Sequence, residues 1–283
     1  MKKTMILLAS LMLLACSYNE DDFVNENESK NVSFILQGDF SFNITPFTRS
    51  LEADGYAMTD VWVIDYVNGE LKQQVHQTSS DTNFGSPSLS LGYGTHHLYF
   101  VTSRGASPVL DTDASTLSFS RVSDTFWKDY ELTVTSSTSS TISVELDRIV
   151  TKLRITITDA VPDDAATFNI TPHTWYYGFN YKTGAPITAT TDVTSTINIP
   201  SSSLGQQNVM MSMFSFSPAS DWQTNISLDS KTSSSVVIGN ASVADVPFSR
   251  NRMTTVSGVL YAPVKTTSIS VNAEWDTPYE MTW

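Results

Sequence analysis

Histidines and paired carboxylates are the residues here whose types could support acid–base or metal chemistry, but their spacing favours neither. His96 and His97 are adjacent, so on a β-strand their imidazoles point to opposite faces and cannot easily share a metal ion. Asp111-Thr112-Asp113 offers oxygen ligands to calcium but lacks the glycine and glutamate of a complete calcium loop. Asp163-Asp164 has no surrounding motif for glycosidase chemistry. We therefore expect no catalytic residue, no metal site and no cofactor site.

Motifs and charge exclude further classes of function. The sequence has no Gly-x-Ser-x-Gly elbow, no phosphate-binding loop and no Rossmann fingerprint, and its serines are too numerous for any one triad to be singled out. The formal net charge of -13 argues against nucleic-acid binding, which requires a basic surface.

The single cysteine, Cys16, follows a short positively charged and apolar leader. Two lysines precede the apolar stretch Met5–Leu14, which has the length of a secretory signal and is too short to span a bilayer. Residues Leu13-Leu14-Ala15-Cys16 resemble a bacterial lipobox. This resemblance implies removal of residues 1–15 and lipidation of Cys16, whose acyl chains would anchor the protein in the outer membrane. An ordinary signal peptide with an incidental cysteine is the alternative.

Residues 16–31 predict an acidic tether. After Cys16 they contain five acidic residues and almost nothing apolar to bury, which is typical of disordered segments. The acidic run resembles the surface-export signal of Bacteroidetes lipoproteins, and a plain solvated spacer is the alternative.

After the tether, apolar residues recur with a period of two, which is typical of β-strands. In Asn31–Ser50 (NVSFILQGDFSFNITPFTRS) this alternation predicts a strand, or a tight strand pair, over Val32–Ile44. Arg49 then follows in a polar loop. Further along, Asn68-Gly69 separates two alternating stretches and predicts a type I′ hairpin, because that turn needs positive φ at both central residues.

The stretch Thr141–Asp159 (TISVELDRIVTKLRITITD) divides the chain. Its apolar residues have even numbers up to Leu146 and odd numbers from Ile149 onward. A shift by one residue reverses the face of every side chain, so either a bulge lies at Asp147-Arg148 or the chain crosses there between two sandwiches. Because short strands alternate with turn residues, we predict an all-β fold with β-sandwich domains at 32–147 and 148–283.

Two groups of side chains have a structural and a functional interpretation. The Trp175-Tyr176-Tyr177 cluster and Trp222 either fill the sandwich core or its ends, or form a platform for a sugar. Arg148, Lys152 and Arg154 either balance local acid on a solvent-facing strip, or contact an acidic partner or the other domain.

The C-terminal residues also alternate, in two short stretches separated by a turn at Asp276-Thr277-Pro278, and predict strands. Their apolar residues are Ile269, Val271, Ala273 and Trp275 before the turn, and Tyr279, Met281 and Trp283 after it.

These features together resemble the Bacteroidetes fimbrial subunits, in particular the anchor and accessory (FimB-like) branch of the fimbrillin-associated subunits of type V pili. Besides the lipobox and the tether, the similar motifs are Thr48-Arg49, Thr59–Tyr66 (TDVWVIDY), the Asn68-Gly69 turn, Leu91–Val101 (LGYGTHHLYFV), Leu146–Ala160 (LDRIVTKLRITITDA) and Pro247–Tyr261 (PFSRNRMTTVSGVLY). None of them is catalytic. The resemblance implies two tandem transthyretin-like β-sandwiches, exported as a surface-exposed outer-membrane lipoprotein.

The resemblance also implies assembly by β-strand exchange with other fimbrial subunits. In shaft subunits of the family, a protease cuts after an arginine behind the first strand, and the freed groove accepts a strand from the next subunit's C-terminal segment. Arg49 is then the candidate cleavage site, and the residues from Ile269 to Trp283 are the candidate donor strands. A plain loop arginine and an ordinary internal strand are the alternatives, and anchor members keep both the first strand and the lipid.

The sequence therefore predicts a non-enzymatic subunit or anchor of a cell-surface fimbria that contributes to adhesion. The alternative hypothesis is a surface lipoprotein that binds glycan or a host ligand through exposed aromatics such as Trp175 and Tyr177.

Overall fold

The computed structural model describes residues 28–40, 42, 57–187, 192–263, 266–271 and 280–281. Within these ranges the fold is all-β, with one short 3-10 helix at Ser201–Ser203. The strands of the first half are β1 (Ser29–Gln37), β2 (Asp60–Val67), β3 (Glu70–Thr78), β4 (Ser88–Gly92), β5 (Gly94–Ser103), β6 (Val109–Asp111), β7 (Thr116–Ser118), β8 (Thr125–Val134), β9 (Thr141–Glu145) and β10 (Asp147–Arg148). Those of the second half are β11 (Val150–Ile157), β12 (Ala165–Pro172), β13 (Gly178–Asn180), β14 (Ala185–Ile187), β15 (Ser195–Asn198), β16 (Val209–Phe216), β17 (Trp222–Thr232), β18 (Val237–Phe248), β19 (Met253–Gly258), β20 (Thr267–Val271) and β21 (Glu280–Met281).

The first sandwich packs a sheet of order β4-β1-β9 against a sheet of order β10-β8-β5-β2-β3. Buried side chains between them form what we call the first core: Val32, Phe34, Leu36, Met58, Val61, Val63, Leu89, Leu91, Leu98, Phe100, Phe126, Val134, Val144 and Leu146. Successive side chains of a strand point to opposite faces. Phe34 is therefore fully buried, whereas its neighbour Ile35 is 44% exposed.

The first strand is shorter than the sequence predicted. β1 ends at Gln37 instead of continuing to Ile44, and the chain then bends. The ring of Phe40 turns inward and packs 4.7 Å from the ring of Phe126. A Cβ atom on Gly38 would overlap the Phe40 ring, so a residue without a side chain permits this close approach. The alternation at Gly38 and Phe40 thus reflects a packed bend rather than a continued strand, and residues 41, 43 and 44 lie outside the described residues.

The predicted Asn68-Gly69 hairpin is confirmed. The turn joins β2 to β3, and Asn68 and Gly69 have φ angles of 54° and 82°. Both are positive, as a type I′ turn requires.

The second sandwich packs a sheet of order β16-β11-β19-β20-β21 against a sheet of order β15-β12-β17-β18. Their inward side chains form the second core, which includes Leu153, Ile155, Phe168, Ile170, Trp175, Ile226, Val246, Phe248, Val256 and Ile269. No helix among the described residues is both long and apolar enough to cross a bilayer.

Asp159 closes one end of the second sandwich. Its carboxylate accepts the backbone N–H groups of Leu260, Tyr261 and Ala262 at 2.9, 2.7 and 2.9 Å. Burial tends to raise the pKa of Asp159, but these backbone donors outweigh it and lower the pKa below its usual value. The ionised carboxylate therefore fastens the loop after β19 to the end of β11.

The stretch Thr141–Ile157 passes through three sheets. β9 lies beside β1, β10 beside β8, and β11 between β16 and β19. Of the two alternatives for Asp147-Arg148, the structure favours the crossing, which follows directly after these residues: β10 still pairs with β8 of the first sandwich, and β11 begins the second. The change from even to odd numbers is therefore the point at which apolar side chains leave the first core and turn toward the second.

The two sandwiches share further structure between them. A sheet of order β14-β13-β7-β6 combines two strands from each half of the chain. Beneath it lies the junction core, whose buried residues are Trp62, Ile64, Tyr66, Tyr99, Val101, Leu117, Phe119, Val122, Ile149, Val150, Phe179, Tyr181, Phe214 and Phe216. The limits of the two domains at 147/148 stay a prediction, since the shared sheet draws on both halves.

Arg148 joins three segments at this junction. Its guanidinium donates to the Asp124 carboxylate at 2.7 and 3.0 Å, and to side-chain oxygens of Asp39 and Asn251, each at 2.9 Å. The same group lies 4.5 Å from the centre of the Phe126 ring, and only 7% of the side chain is exposed. For Arg148, the interpretation as a solvent-facing strip is therefore wrong, and contact between the halves of the chain is what the structure shows.

Replacing Arg148 with methionine should lower the free energy of unfolding by about 3 kcal/mol, because the largely buried Asp124 carboxylate would lose its counter-ion. The matched control is Lys128→Met. Lys128 pairs with Asp147 at 3.0 Å in a largely exposed ion pair, so its loss should cost less than about 1 kcal/mol. Urea unfolding followed by tryptophan fluorescence measures both variants, and equal losses would contradict the role given to Arg148.

Candidate functional site

The candidate site is the slot of the first strand, defined as β1 with its neighbours β4 and β9. β1 is the central strand of this sheet, antiparallel to β4 and parallel to β9. Both of its edges are therefore paired. Its removal would leave two strands with unpaired backbone groups facing each other across a gap.

Backbone hydrogen bonds hold β1 along both sides. The N–H of Phe34 donates to the carbonyl of Pro87, next to β4, at 2.9 Å. On the side of β9, the N–H of Ser33 donates to the carbonyl of Ser140 at 2.9 Å. The carbonyl of Gln37 accepts the N–H of Leu146, also at 2.9 Å. These bonds fix the register that places the apolar residues of β1 inward.

The inward face of β1 fills the first core. Val32 and Phe34 are fully buried and Leu36 is 6% exposed. The Phe34 ring meets the Phe100 ring edge-on, with centroids 4.9 Å apart. Without β1, the opposite sheet would expose a trough shaped for apolar side chains on every second residue.

Just beyond its C-terminal end, β1 is tied to the sandwich junction. Arg148, described above, binds both the side chain and the backbone carbonyl of Asp39, two residues after the strand ends. The first strand is thus connected to the place where the chain crosses between sandwiches.

The C-terminal residues lie in the second sandwich. β20 pairs with β19, and Ile269 is buried in the second core. Among the described strands β21 pairs with β20 alone, at the sheet edge, with Met281 opposite Ile269. Val271 is the last residue of β20. The other candidate residues, namely Cys16, Arg49, Ala273, Trp275, Tyr279 and Trp283, lie outside the described residues.

Sequence reasoning missed a buried ion pair near this slot. Nδ1 of His96 lies 2.7 Å from Asp65, and Nε2 lies 2.9 Å from the carbonyl of Gly92, the last residue of β4. The hydrogen bond with Asp65 raises the pKa of His96 and outweighs the lowering caused by burial. An acidic residue within the apolar stretch DVWVIDY was the one available indication that Asp65 needed a buried partner.

His97 points to the opposite face, as predicted, and lies 3.3 Å from Glu131. Among the described residues no group of three or more histidine, cysteine or carboxylate side chains is arranged to hold a metal. In the Asp111-Thr112-Asp113 stretch, the Asp111 carboxylate accepts the N–H of Ala114 at 2.9 Å, as expected for a turn.

The hypothesis of an exposed aromatic platform is wrong for Trp175. Its side chain is buried, and its indole N–H donates to the carbonyl of Phe214 at 2.9 Å. The rings of Trp222 and Phe248 pack against it at centroid distances of 6.1 and 5.4 Å. Tyr177 is partly buried. The structural interpretation, in which these rings fill the sandwich core, therefore holds for Trp175.

Comparison with known proteins gives one family match in sequence and several in structure. Residues 93–283 match the model of a family of unknown function (DUF6562). No curated protein matches the chain.

Three solved structures illustrate the likeness in fold. Candidate polysaccharide-binding proteins (DUF1812) from Bacteroides thetaiotaomicron have a TM-score of 0.54 and 10% identity, covering 89% of this chain and 98% of theirs. A candidate adhesin from Bacteroides ovatus has a TM-score of 0.53 and 11% identity, covering 90% and 96%. The fimbrial anchor protein Mfa2 from Porphyromonas gingivalis has a TM-score of 0.47 and 6% identity, covering 90% and 100%, a similarity too low to support an argument. The first two similarities establish the fold alone.

Replacing Phe34 with alanine should lower the free energy of unfolding by about 3–5 kcal/mol, because a large cavity forms in the first core. Ile35→Ala is the matched control, since Ile35 lies on the same strand with its side chain toward solvent, and it should cost no more than about 0.5 kcal/mol. Chemical denaturation of both variants tests the burial of β1. If the two variants lost similar amounts of unfolding free energy, the inward face of β1 would not be packed as described.

The free energy of unfolding should fall as the pH rises from 6.5, the ordinary pKa of histidine, through the raised pKa of His96. Below that range the protonated His96 contributes fully, and above it the folded protein loses the stabilising proton. Urea unfolding from about pH 5.5 to about pH 9 measures this dependence. His96→Gln should flatten it, whereas His97→Gln, at an exposed pair, should leave it nearly unchanged. A pH dependence that survives His96→Gln would refute the assignment.

Proposed function

The chain belongs to the family of unknown function DUF6562, and on that premise we propose that it is a non-enzymatic component of a bacterial cell-surface fimbria, either a subunit or its anchor. The proposal includes a contribution to adhesion and a lipid on Cys16 that attaches the protein to the outer membrane. It draws on the sequence resemblance to type V pilus subunits and on the fold shared with candidate adhesins.

The observation that supports this proposal best is the position of β1. It is the middle strand of its sheet, its inward face is buried, and Arg49 follows it in the sequence. β1 is also the first strand of the described chain, so the segment that follows it links it covalently to the rest of the sandwich. Here a single cut in the segment after the strand would leave β1 attached to the rest of the sandwich by non-covalent contacts.

In the proposed mechanism, a protease hydrolyses the Arg49–Ser50 peptide bond. β1 then remains bound by its backbone hydrogen bonds, by its three buried apolar side chains and by the contact of Arg148 with Asp39. An incoming strand can displace it if alternating apolar side chains occupy the sites of Val32, Phe34 and Leu36.

The incoming strand would be the C-terminal segment of a neighbouring subunit, with Tyr279, Met281 and Trp283 on one face. β20 is a less suitable donor because Ile269 belongs to the second core of its own subunit. β21, which lies at the edge of its sheet, can leave without removing that residue. In an anchor, Arg49 would stay intact and β1 would connect the first sandwich to the lipidated N-terminus.

Limited cleavage by an arginine-specific protease should convert the purified protein into a ladder of oligomers that resists SDS without boiling, because exchanged strands are fully paired. Arg49→Ala should abolish the ladder, and deletion of residues 279–283 should do the same without preventing cleavage. The matched control is Arg252→Ala, which removes a partly exposed arginine distant in sequence from the first strand. Gel electrophoresis detects the ladder of oligomers, and N-terminal sequencing detects the cleavage after Arg49.

A cut protein that stays monomeric would overturn polymerisation by strand exchange. The N-terminal residue of the protein on cells, determined by mass spectrometry, then separates the two roles. A lipidated Cys16 indicates an anchor, Ser50 indicates a polymerising subunit, and an unmodified N-terminus elsewhere would refute the lipoprotein assignment.

A further inference from the structure

A cleft of about 430 Å³ opens along one side of the second sandwich. Its two walls are β15 and β16, the edge strands of the two facing sheets. Residues 120–123, from the first half of the chain, complete its lining. The cleft belongs to neither the slot of the first strand nor the sheet edge that holds β21.

The wall formed by β16 has backbone N–H and C=O groups that no strand of the described chain pairs with. Alternate residues of an antiparallel strand direct their N–H and C=O groups to opposite sides. On β16, the carbonyl of Phe214 accepts from Trp175 and the N–H of Phe216 donates to Tyr176, so even-numbered residues point away from β11. Met210 and Ser212 share that direction, and within the described part of the chain no strand pairs with this side of β16.

The cleft exposes part of the second core. Ile197 and Met213 line it and are only partly buried, although they pack against the buried residues of that core. At its rim, Val193 and Met210 are 37% and 36% exposed, and both are among the large apolar side chains that remain in contact with solvent. An apolar floor beside unpaired strand edges is the arrangement that an added β-strand satisfies.

Arg121 supplies the charge in this cleft. Among the lining residues that the structure describes it is the one charged side chain, in a protein whose net charge is -13. Within the described residues its guanidinium forms no ion pair, while its carbonyl accepts the N–H of Ala106 at 2.9 Å and so fixes the backbone. An acidic side chain on the occupant is the complementary group.

We propose that the cleft between β15 and β16 binds an extended segment of a partner polypeptide as an added β-strand. The segment pairs with the free side of β16 at Met210 and Ser212, places alternate apolar side chains on the floor, and presents an acidic residue to Arg121. This site needs neither cleavage at Arg49 nor departure of β1, so it extends beyond the proposed function and does not depend on it.

The geometry favours a polypeptide over a sugar. Sugar sites commonly offer an open aromatic face. Of the four aromatic side chains that line this cleft, Phe168, Trp175 and Phe214 are buried and Tyr177 is partly buried. The groups available for binding are instead the outward backbone N–H and C=O groups of Met210 and Ser212, which repeat at every second residue of a strand. That repetition matches the backbone of an extended peptide.

The probe is a fluorescein-labelled hexapeptide that alternates valine with threonine and ends in glutamate, with both termini blocked. Fluorescence anisotropy with the intact, uncleaved protein should show saturable binding. Ser212→Pro should weaken binding at least about tenfold, because proline removes the outward N–H without disturbing the pairs with β11. Ser212→Ala is the matched control and should bind as the unmodified protein does.

Arg121→Gln should weaken binding of the glutamate peptide by about threefold and leave binding of a glutamine-ending peptide unchanged. Hydrogen exchange on the unmodified protein provides a measurement that is independent of variant folding. The amides of Met210 and Ser212 should exchange more slowly when the peptide is bound.

Three outcomes would overturn the proposal. They are no saturable binding of the peptide, equal binding by Ser212→Pro and Ser212→Ala, and protection confined to other strands. Binding of an oligosaccharide such as maltohexaose, with none of the peptide, would identify the cleft as a sugar site instead. All these measurements use uncleaved protein. A negative result therefore does not bear on strand exchange after cleavage at Arg49, and a negative result for strand exchange does not bear on peptide binding in this cleft.

Discussion

Backbone pairing of β-strands is the constraint on which the rest of this structure depends. A strand inside a sandwich must pair its N–H and C=O groups on both sides, and a strand at an edge leaves one row of them open. In this protein the constraint acts at three places. It holds β1 between β4 and β9, it joins the two halves through β7 and β13, and it leaves one side of β16 open above a cleft. The first and the last are the places where a strand from another molecule would fit.

The contacts of Arg148 at the sandwich junction are a second constraint on the position of β1. The chain crosses between sandwiches directly after Asp147-Arg148. The Arg148 side chain contacts Asp124, Asp39 beyond the first strand, and Asn251 in the second half. A planar, permanently charged guanidinium can satisfy several acceptors at once, which a lysine cannot. Arg148 therefore contacts both the segment that follows β1 and the second half of the chain. Any release of β1 would therefore have to break this contact between Arg148 and Asp39.

Much of the fold could be predicted from local patterns. The period of two identified β1 and the two strands beside Asn68-Gly69, and that dipeptide identified the hairpin, because these features depend on residues near one another in the chain. The end of β1 was misjudged because Phe40 preserves the alternation while the backbone bends. The role of Arg148 stayed open for a different reason. Whether a charged side chain faces solvent or a buried carboxylate depends on residues about 25 to 110 positions away.

The sequence by itself determined the all-β class, the alternating face of the first strand, the acidic net charge that argues against nucleic-acid binding, and the point at which apolar residues change phase. All of these are properties of neighbouring residues and of total composition. Only the tertiary structure decided that Trp175 is buried, that His96 and Asp65 form a pair, and that β15 and β16 are edges with a cleft between them. Strand order and sheet packing bring together residues that are far apart in the chain, and no local pattern records which strands remain without a neighbour.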